Sequence, residues 1–279
     1  MSYIKLMTAL ALLSLIGLGL ASTNYAYGWA RADFDKNNKQ LYAQGYHLIE
    51  VNAYVPPGAT DAVWNGVWSN AKEVTQFAYG WARADFDKNN KQLYAQGYHL
   101  KEINAYVPPG ATDAAWNGIW VKNNDVTQFA YGWARADFNK NNKQLYAQGY
   151  HLTEVNAYVP PGATDAAWNG IWVKNNDVTQ FAYGWARADF NKNNKQLYAQ
   201  GYHLKEINAY VPPGATDAAW NGIWVKNNDV TQFAYGWARA DFNKNNKQLQ
   251  SQGYLLIEVN AYVTPGATDA AWNGIWKKS

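Results

Sequence analysis

Tyr131-Gly132-Trp133-Ala134-Arg135-Ala136-Asp137-Phe138 decides how the chain is read, because the same eight residues begin also at Tyr27, Tyr79, Tyr183 and Tyr235. The spacing is 52 residues each time. A fixed period of this length is the mark of a repeat architecture, in which each supersecondary unit buries its apolar face against its neighbours. All 15 tryptophans obey the period, three per copy. Counted from Val126 and Val178, the third and fourth copies differ only at Thr153/Lys205 and Val155/Ile207.

Working outward from the octapeptide, each copy reads as a strand pair, a helix and a further strand. Ala166 to Val173 alternates, with Trp168 and Trp172 on one face and Ile171 and Val173 on the other. Phe181, Tyr183 and Trp185 alternate with Ala182 and Gly184. Two alternating runs about the polar cluster Lys174-Asn175-Asn176-Asp177 predict a hairpin. Ala186 to Gln200 carries helical spacing through Ala186, Phe190 and Leu197, and Gly201 stands where a helix commonly ends. Its Asn-Lys-Asn-Asn segment lowers helix propensity, so packing must hold it. Tyr202 to Val211 predicts a strand whose apolar positions do not alternate cleanly, which implies a bulge or burial on both sides. Pro212-Pro213-Gly214 ends it.

In that frame the first copy opens on the second hairpin strand and the last copy ends on the first. Pairing the two would seal a circle, as a propeller is fastened. The expected fold is therefore α+β: five tandem 52-residue repeats closed into a propeller-like toroid by pairing of the N- and C-terminal strands. Residues 1–21 are expected to be a signal peptide and residues 22–279 a single five-repeat domain. Lys5, the apolar run Leu6 to Leu20 and the small residues Gly19 and Ala21 supply the three parts of an export signal. The run is shorter than the roughly 20 residues a membrane span needs. The mature chain is thus expected to be secreted, to the periplasm or the exterior, with no membrane span.

Composition narrows the function. Cysteine is absent, so an exported chain must rely on its core, and 15 Trp, 21 Tyr and 9 Phe provide one. The formal charge is +3 and no basic block exceeds two residues, which argues against a nucleic-acid partner.

Phe138, Leu145, Gln148-Gly149-Tyr150-His151-Leu152, Tyr158, Trp168 and Ile171-Trp172 form a pattern that resembles the bacterial tandem repeat domain. That domain is found beside serine-hydrolase domains in bacteria and in fungal polyglycine hydrolases. The resemblance covers most of each copy and implies an accessory module, propeller-like in fold. Two departures stand out. His47, His99, His151 and His203 occupy a position where the family usually has Arg, with Leu255 in the fifth copy, and the chain carries no hydrolase domain.

Catalytic and metal motifs weigh little. Ser69-Asn70-Ala71-Lys72 matches Ser-x-x-Lys but falls in a turn, without the further motifs that hydrolases of that class need. Asp33-Phe34-Asp35-Lys36-Asn37-Asn38 begins like a calcium loop. The twelfth place is Gln44, which cannot give a bidentate carboxylate, and later copies have Asn139, Asn191 and Asn243 at the third. The four histidines read as strand or rim residues rather than metal ligands, and no cofactor is implied. Glu50, Glu102, Glu154, Glu206 and Glu258 recur beside Asn52, Asn104, Asn156, Asn208 and Asn260. Catalysis needs unlike groups about one reacting atom, whereas five like copies give like environments. The expectation is no enzyme.

A binding role fits better. Within Trp-Asn-Gly-Ile-Trp, the family resemblance implies that the second tryptophan (Trp68, Trp120, Trp172, Trp224, Trp276) is a core residue. The first stands next to an amide, in the pairs Trp64/Asn65, Trp116/Asn117, Trp168/Asn169, Trp220/Asn221 and Trp272/Asn273. An exposed indole face with an amide beside it suits a sugar ring, and these ten residues are the sequence's candidate ligand site. The alternative is that both tryptophans pack between units. Hence the expected function is a multivalent, lectin-like protein for surface carbohydrate, with a protein-interaction or structural scaffold as the second reading and a degenerate hydrolase as the third.

Overall fold

The computed structural model describes residues 22–71, 73 and 75–279. The expected export signal, residues 1–21, lies outside the described residues, as does Lys72 of the Ser-x-x-Lys motif. No helix among the described residues is long and apolar enough to cross a membrane.

Five units follow one another, each strand, helix, strand, strand. The first holds β1 (Thr23–Trp29), α1 (Arg31–Ala43), β2 (His47–Tyr54) and β3 (Val63–Ser69). The second holds β4 (Thr75–Trp81), α2 (Arg83–Ala95), β5 (Tyr98–Tyr106) and β6 (Ala115–Lys122). The third holds β7 (Thr127–Ala134), α3 (Arg135–Ala147), β8 (Tyr150–Tyr158) and β9 (Ala167–Lys174). The fourth holds β10 (Thr179–Trp185), α4 (Arg187–Ala199), β11 (Tyr202–Tyr210) and β12 (Ala219–Lys226). The fifth holds β13 (Thr231–Ala238), α5 (Arg239–Ser251), β14 (Tyr254–Tyr262) and β15 (Ala271–Lys278). In every unit the third strand lies between the other two and is antiparallel to both. The outer strands therefore run parallel, and a parallel pair needs a long crossover, which the helix supplies.

This topology corrects the sequence frame. β9 does not form a hairpin with β10 across Lys174–Asp177; it pairs with β7 and β8 of its own unit. The Asp177 N–H donates to Asn175 Oδ1 at 3.0 Å and the Asn175 amide to Asp177 Oδ2 at 3.0 Å. Such local side-chain bonds bend the chain onward to the next sheet. Alternation reports which face a residue takes and not which strand it pairs with, and so the hairpin it predicts joins strands of two different sheets. The terminal strands likewise find partners at home: β1 pairs with β3, and β15 with β13 and β14. Pairing of the N- and C-terminal strands does not occur, and no sheet passes from one end of the chain to the other.

Other expectations hold. α4 covers nearly all of the predicted helix, and Gly201 follows it at φ +80°. The bulge falls in β11 between Leu204 and Glu206. The second tryptophans are fully buried, and the asparagine-rich helix is tied to them: Trp172 Nε1 donates to Asn142 Oδ1 at 2.7 Å, with the same bond in each unit. Packing and that bond offset the poor propensity.

Gly170, in the middle of β9, marks a close approach. A Cβ there would sit 2.7 Å from the Phe138 ring and 3.0 Å from the Trp172 ring, both buried. Gly170→Ala is expected to destabilise by about 1–3 kcal/mol through overpacking, read as a lower denaturant midpoint. An unchanged midpoint would mean that the helix can move off the sheet.

Neighbouring units join through side chains. Arg83 of the second unit donates to Tyr131 O of the third, and the Ala105 N–H of the second to Asn156 Oδ1 of the third. The fifth unit meets the first by the same contacts. Arg239 donates to Tyr27 O at 3.1 Å, the Ala261 N–H to Asn52 Oδ1 at 3.4 Å, and Trp272 packs edge-on against Tyr54. The second strands touch in succession, β2 to β5 to β8 to β11 to β14, and β14 lies against β2.

Candidate functional site

The ten residues singled out in the sequence are buried. Trp64, Trp116, Trp168, Trp220 and Trp272 are at most 1% exposed, and Asn65, Asn117, Asn169, Asn221 and Asn273 are wholly enclosed. Trp168 is clamped edge-on between Tyr183 and Tyr210 of the next unit, with ring centres 5.5 and 5.6 Å away. Asn169 accepts from the Gly132 N–H at 2.8 Å and donates to Asn156 Oδ1 at 3.0 Å. None of these five indoles has a face open for a sugar to stack on. Trp168 packs between units instead, as the alternative reading has it, while Asn169 ties the three strands of its own sheet together.

The remaining tryptophan of each unit behaves differently. Trp29, Trp81, Trp133, Trp185 and Trp237 are half-buried. They stand last or next to last in the first strand of their unit, just after a bulge, where in the third unit the register shifts between Ala130 and Trp133. Gly132 makes the bulge possible, with φ +71° and its N–H on Asn169. Only glycine takes that conformation at little cost. A Cβ there would also sit 3.1 Å from the Arg83 guanidinium of the previous unit.

Beside Trp133 lies an open groove of about 470 Å³, lined by Gly132, Trp133, Ala134, Asp137, Lys140, Asn141 and Gln144. The second unit has its counterpart at Gly80, Trp81, Ala82, Asp85, Lys88, Asn89 and Gln92. The same residue types recur at Trp29, Trp185 and Trp237 and the helices that follow them. Asp137, Lys140, Asn141 and Gln144 stand at i, i+3, i+4 and i+7 and so share one helix face. A carboxylate, an amine and two amides thus converge beside an indole. These groups can donate to and accept from hydroxyls, while the indole offers an apolar surface.

The histidines stay within their own units. His99 Nδ1 is 2.8 Å from Asn123 Oδ1, and its ring meets Tyr94 edge-on at 5.0 Å; His151 and His203 repeat both contacts. None belongs to a cluster of metal-ligating groups among the described residues. The repeated glutamates do come together. Glu50, Glu102, Glu154, Glu206 and Glu258 are all buried, and the carboxyl oxygens of Glu102, Glu154 and Glu206 lie within 4.8 Å of one another. Burial pushes Glu206 up to about 7 and the other four well above the usual carboxylate range.

Fold and groove together define a tandem-repeat protein of mixed α/β units, each with a three-stranded sheet, one helix and one polar-aromatic surface motif. The sequence profile of the polyglycine hydrolase-like structural repeat matches residues 25–71, 75–123, 127–175, 179–227 and 231–279. The chain belongs to that family, and the five matches fall on the five whole-sheet units. No curated protein matches the chain.

Proposed function

We propose that this is an exported, non-catalytic, multivalent binding protein, its five units set in a ring and its grooves taking carbohydrate. The observation that carries the reading is the half-buried tryptophan beside Asp, Lys, Asn and Gln, present once per unit. The ring is supported by the bonds from Arg239 and Ala261 of the fifth unit to the first, which copy those between consecutive units. In such a ring the grooves repeat at a fixed radius. Weak sites at fixed spacing gain by effective concentration on a surface that displays many copies of a sugar. Export rests on the lysine, apolar run and small residues of the first 21 positions. The same polar-aromatic motif repeated once in each of five like units speaks against catalysis, which needs unlike groups about one reacting atom.

The test is a glycan array followed by titration of the strongest hit, observed through tryptophan fluorescence. Trp81→Ala with Trp133→Ala is expected to weaken binding on a dense glycan surface by roughly 10- to 100-fold and to leave the melting temperature close to that of the parent. An array without a titratable sugar, or binding untouched by the double change, would rule the grooves out.

A second reading, a scaffold for a protein partner, draws on Tyr42, Tyr94, Tyr146 and Tyr198. They are 43–48% exposed, one at the end of each of the first four helices. Aromatic side chains of this kind are enriched in protein contacts. Capture of one dominant protein, lost on Tyr→Ser changes and indifferent to sugar, would favour it.

A further inference from the structure

The groove reading does not use the five glutamates, and their placement is the most unusual chemistry in the molecule. Glu50 is on β2, Glu102 on β5, Glu154 on β8, Glu206 on β11 and Glu258 on β14, the strands that touch in succession. A carboxyl oxygen of each of Glu102, Glu154 and Glu206 lies within 4.8 Å of the other two, and Glu50 and Glu258 occupy the same place on the strands that adjoin them. Exposure is 3–8%. Two carboxylates cannot accept from each other; a hydrogen bond between carboxyls requires a proton on one of them. Like charges this close, away from water, cannot all ionise.

The surrounding groups do not neutralise the set. The bulge residues next to the glutamates are Ile49, Lys101, Thr153, Lys205 and Ile257. Lys101 is engaged elsewhere, 2.8 Å from Glu73. Lys205 keeps access to solvent, yet the protein around it lowers its amine by desolvation, and it interacts with Asp177 as well as with Glu206 and Glu154. Asn260 reaches Glu258 Oε1 at 3.4 Å. Two shared amines face five carboxyls.

We propose that the five glutamates act as a proton-dependent clasp, joining the units while the set is mainly protonated and loosening them when it ionises. The sign follows from burial. A carboxyl whose value is raised in the fold contributes stability in full below its ordinary value near 4.5 and loses it as pH climbs through the folded value, about 7 at Glu206. The five titrate as a set, so the loss spreads over a broad range. The protein is then tighter in acidic surroundings and looser in alkaline ones. This inference concerns the strand contacts alone and stands whether or not the grooves take sugar.

Thermal melting of the purified protein from about pH 5 to about pH 9, with the hydrodynamic radius followed in parallel, tests it. The melting temperature is expected to fall by roughly 5–10 °C across that range. Glu154→Gln with Glu206→Gln, which keeps shape and hydrogen bonding but cannot ionise, should flatten the curve and raise melting at the alkaline end. A flat parent curve, or a variant that retains the full slope, would overturn the clasp. So would an alkaline melting temperature that rises with calcium chloride and falls with a chelator, because the carboxylates would then be ionised around a cation. If the double variant does not fold, proton release on unfolding the parent in weak buffer near pH 8 decides. Release supports protonated glutamates in the native state, and its absence overturns them.

Discussion

Trp168→Ala is expected to cost about 3–5 kcal/mol of stability, the range for removing a large aromatic from a core. Trp168 is wholly buried and is held between Tyr183 and Tyr210 of the next unit, so its loss opens a cavity at a junction rather than inside one block. The Phe138 ring, 5.8 Å away, loses a neighbour as well. Denaturant unfolding, observed by circular dichroism, measures the change. Trp133→Ala is the control, since that side chain is half-buried at a groove. Were the two equally mild, the assignment of one tryptophan to packing and the other to the surface would be wrong.

Asn169→Ala should follow, at about 1–3 kcal/mol. Its oxygen accepts from the Gly132 N–H and its amide donates to Asn156, all with little or no exposure of the amide pair. Truncation leaves the Gly132 N–H without its partner, while Asn156 Oδ1 keeps the Ala105 N–H, and a buried unsatisfied group costs about 1–3 kcal/mol. The effect also reaches the groove. Gly132 is the bulge that sets the direction of Trp133, so losing its anchor should blur the site. Amide hydrogen exchange at Gly132 gives an independent readout, with protection expected to drop in the variant. An unchanged exchange rate would show that the bulge holds itself.

Much of this fold is legible in the amino acids. The period, the helix and the bulge before Glu206 follow from spacing, and the buried second tryptophan from the family resemblance. What failed was the choice of strand partner. Ala166 to Val173 and Phe181 to Trp185 both alternate, and alternation is blind to whether two runs join each other or two different sheets. The burial of Trp168 and Asn169 is hard to read from the sequence for a related reason. Asn169 beside Trp168 suggested a sugar contact, but adjacent residues in a strand face opposite ways, and here both faces are covered. A usable signal was present elsewhere. Asp137, Lys140, Asn141 and Gln144 form a polar helical stripe directly after Tyr-Gly-Trp, where the glycine interrupts a strand. That stripe beside an aromatic marks the groove.

Each sheet is completed from one contiguous stretch of chain, and this bears on how such a gene can change length. Duplicating or deleting one period in frame adds or removes a finished block and splits no sheet. The near-identity of the third and fourth blocks is what such copying leaves behind. Copy number can thus drift by whole blocks, each arriving with its three strands already matched.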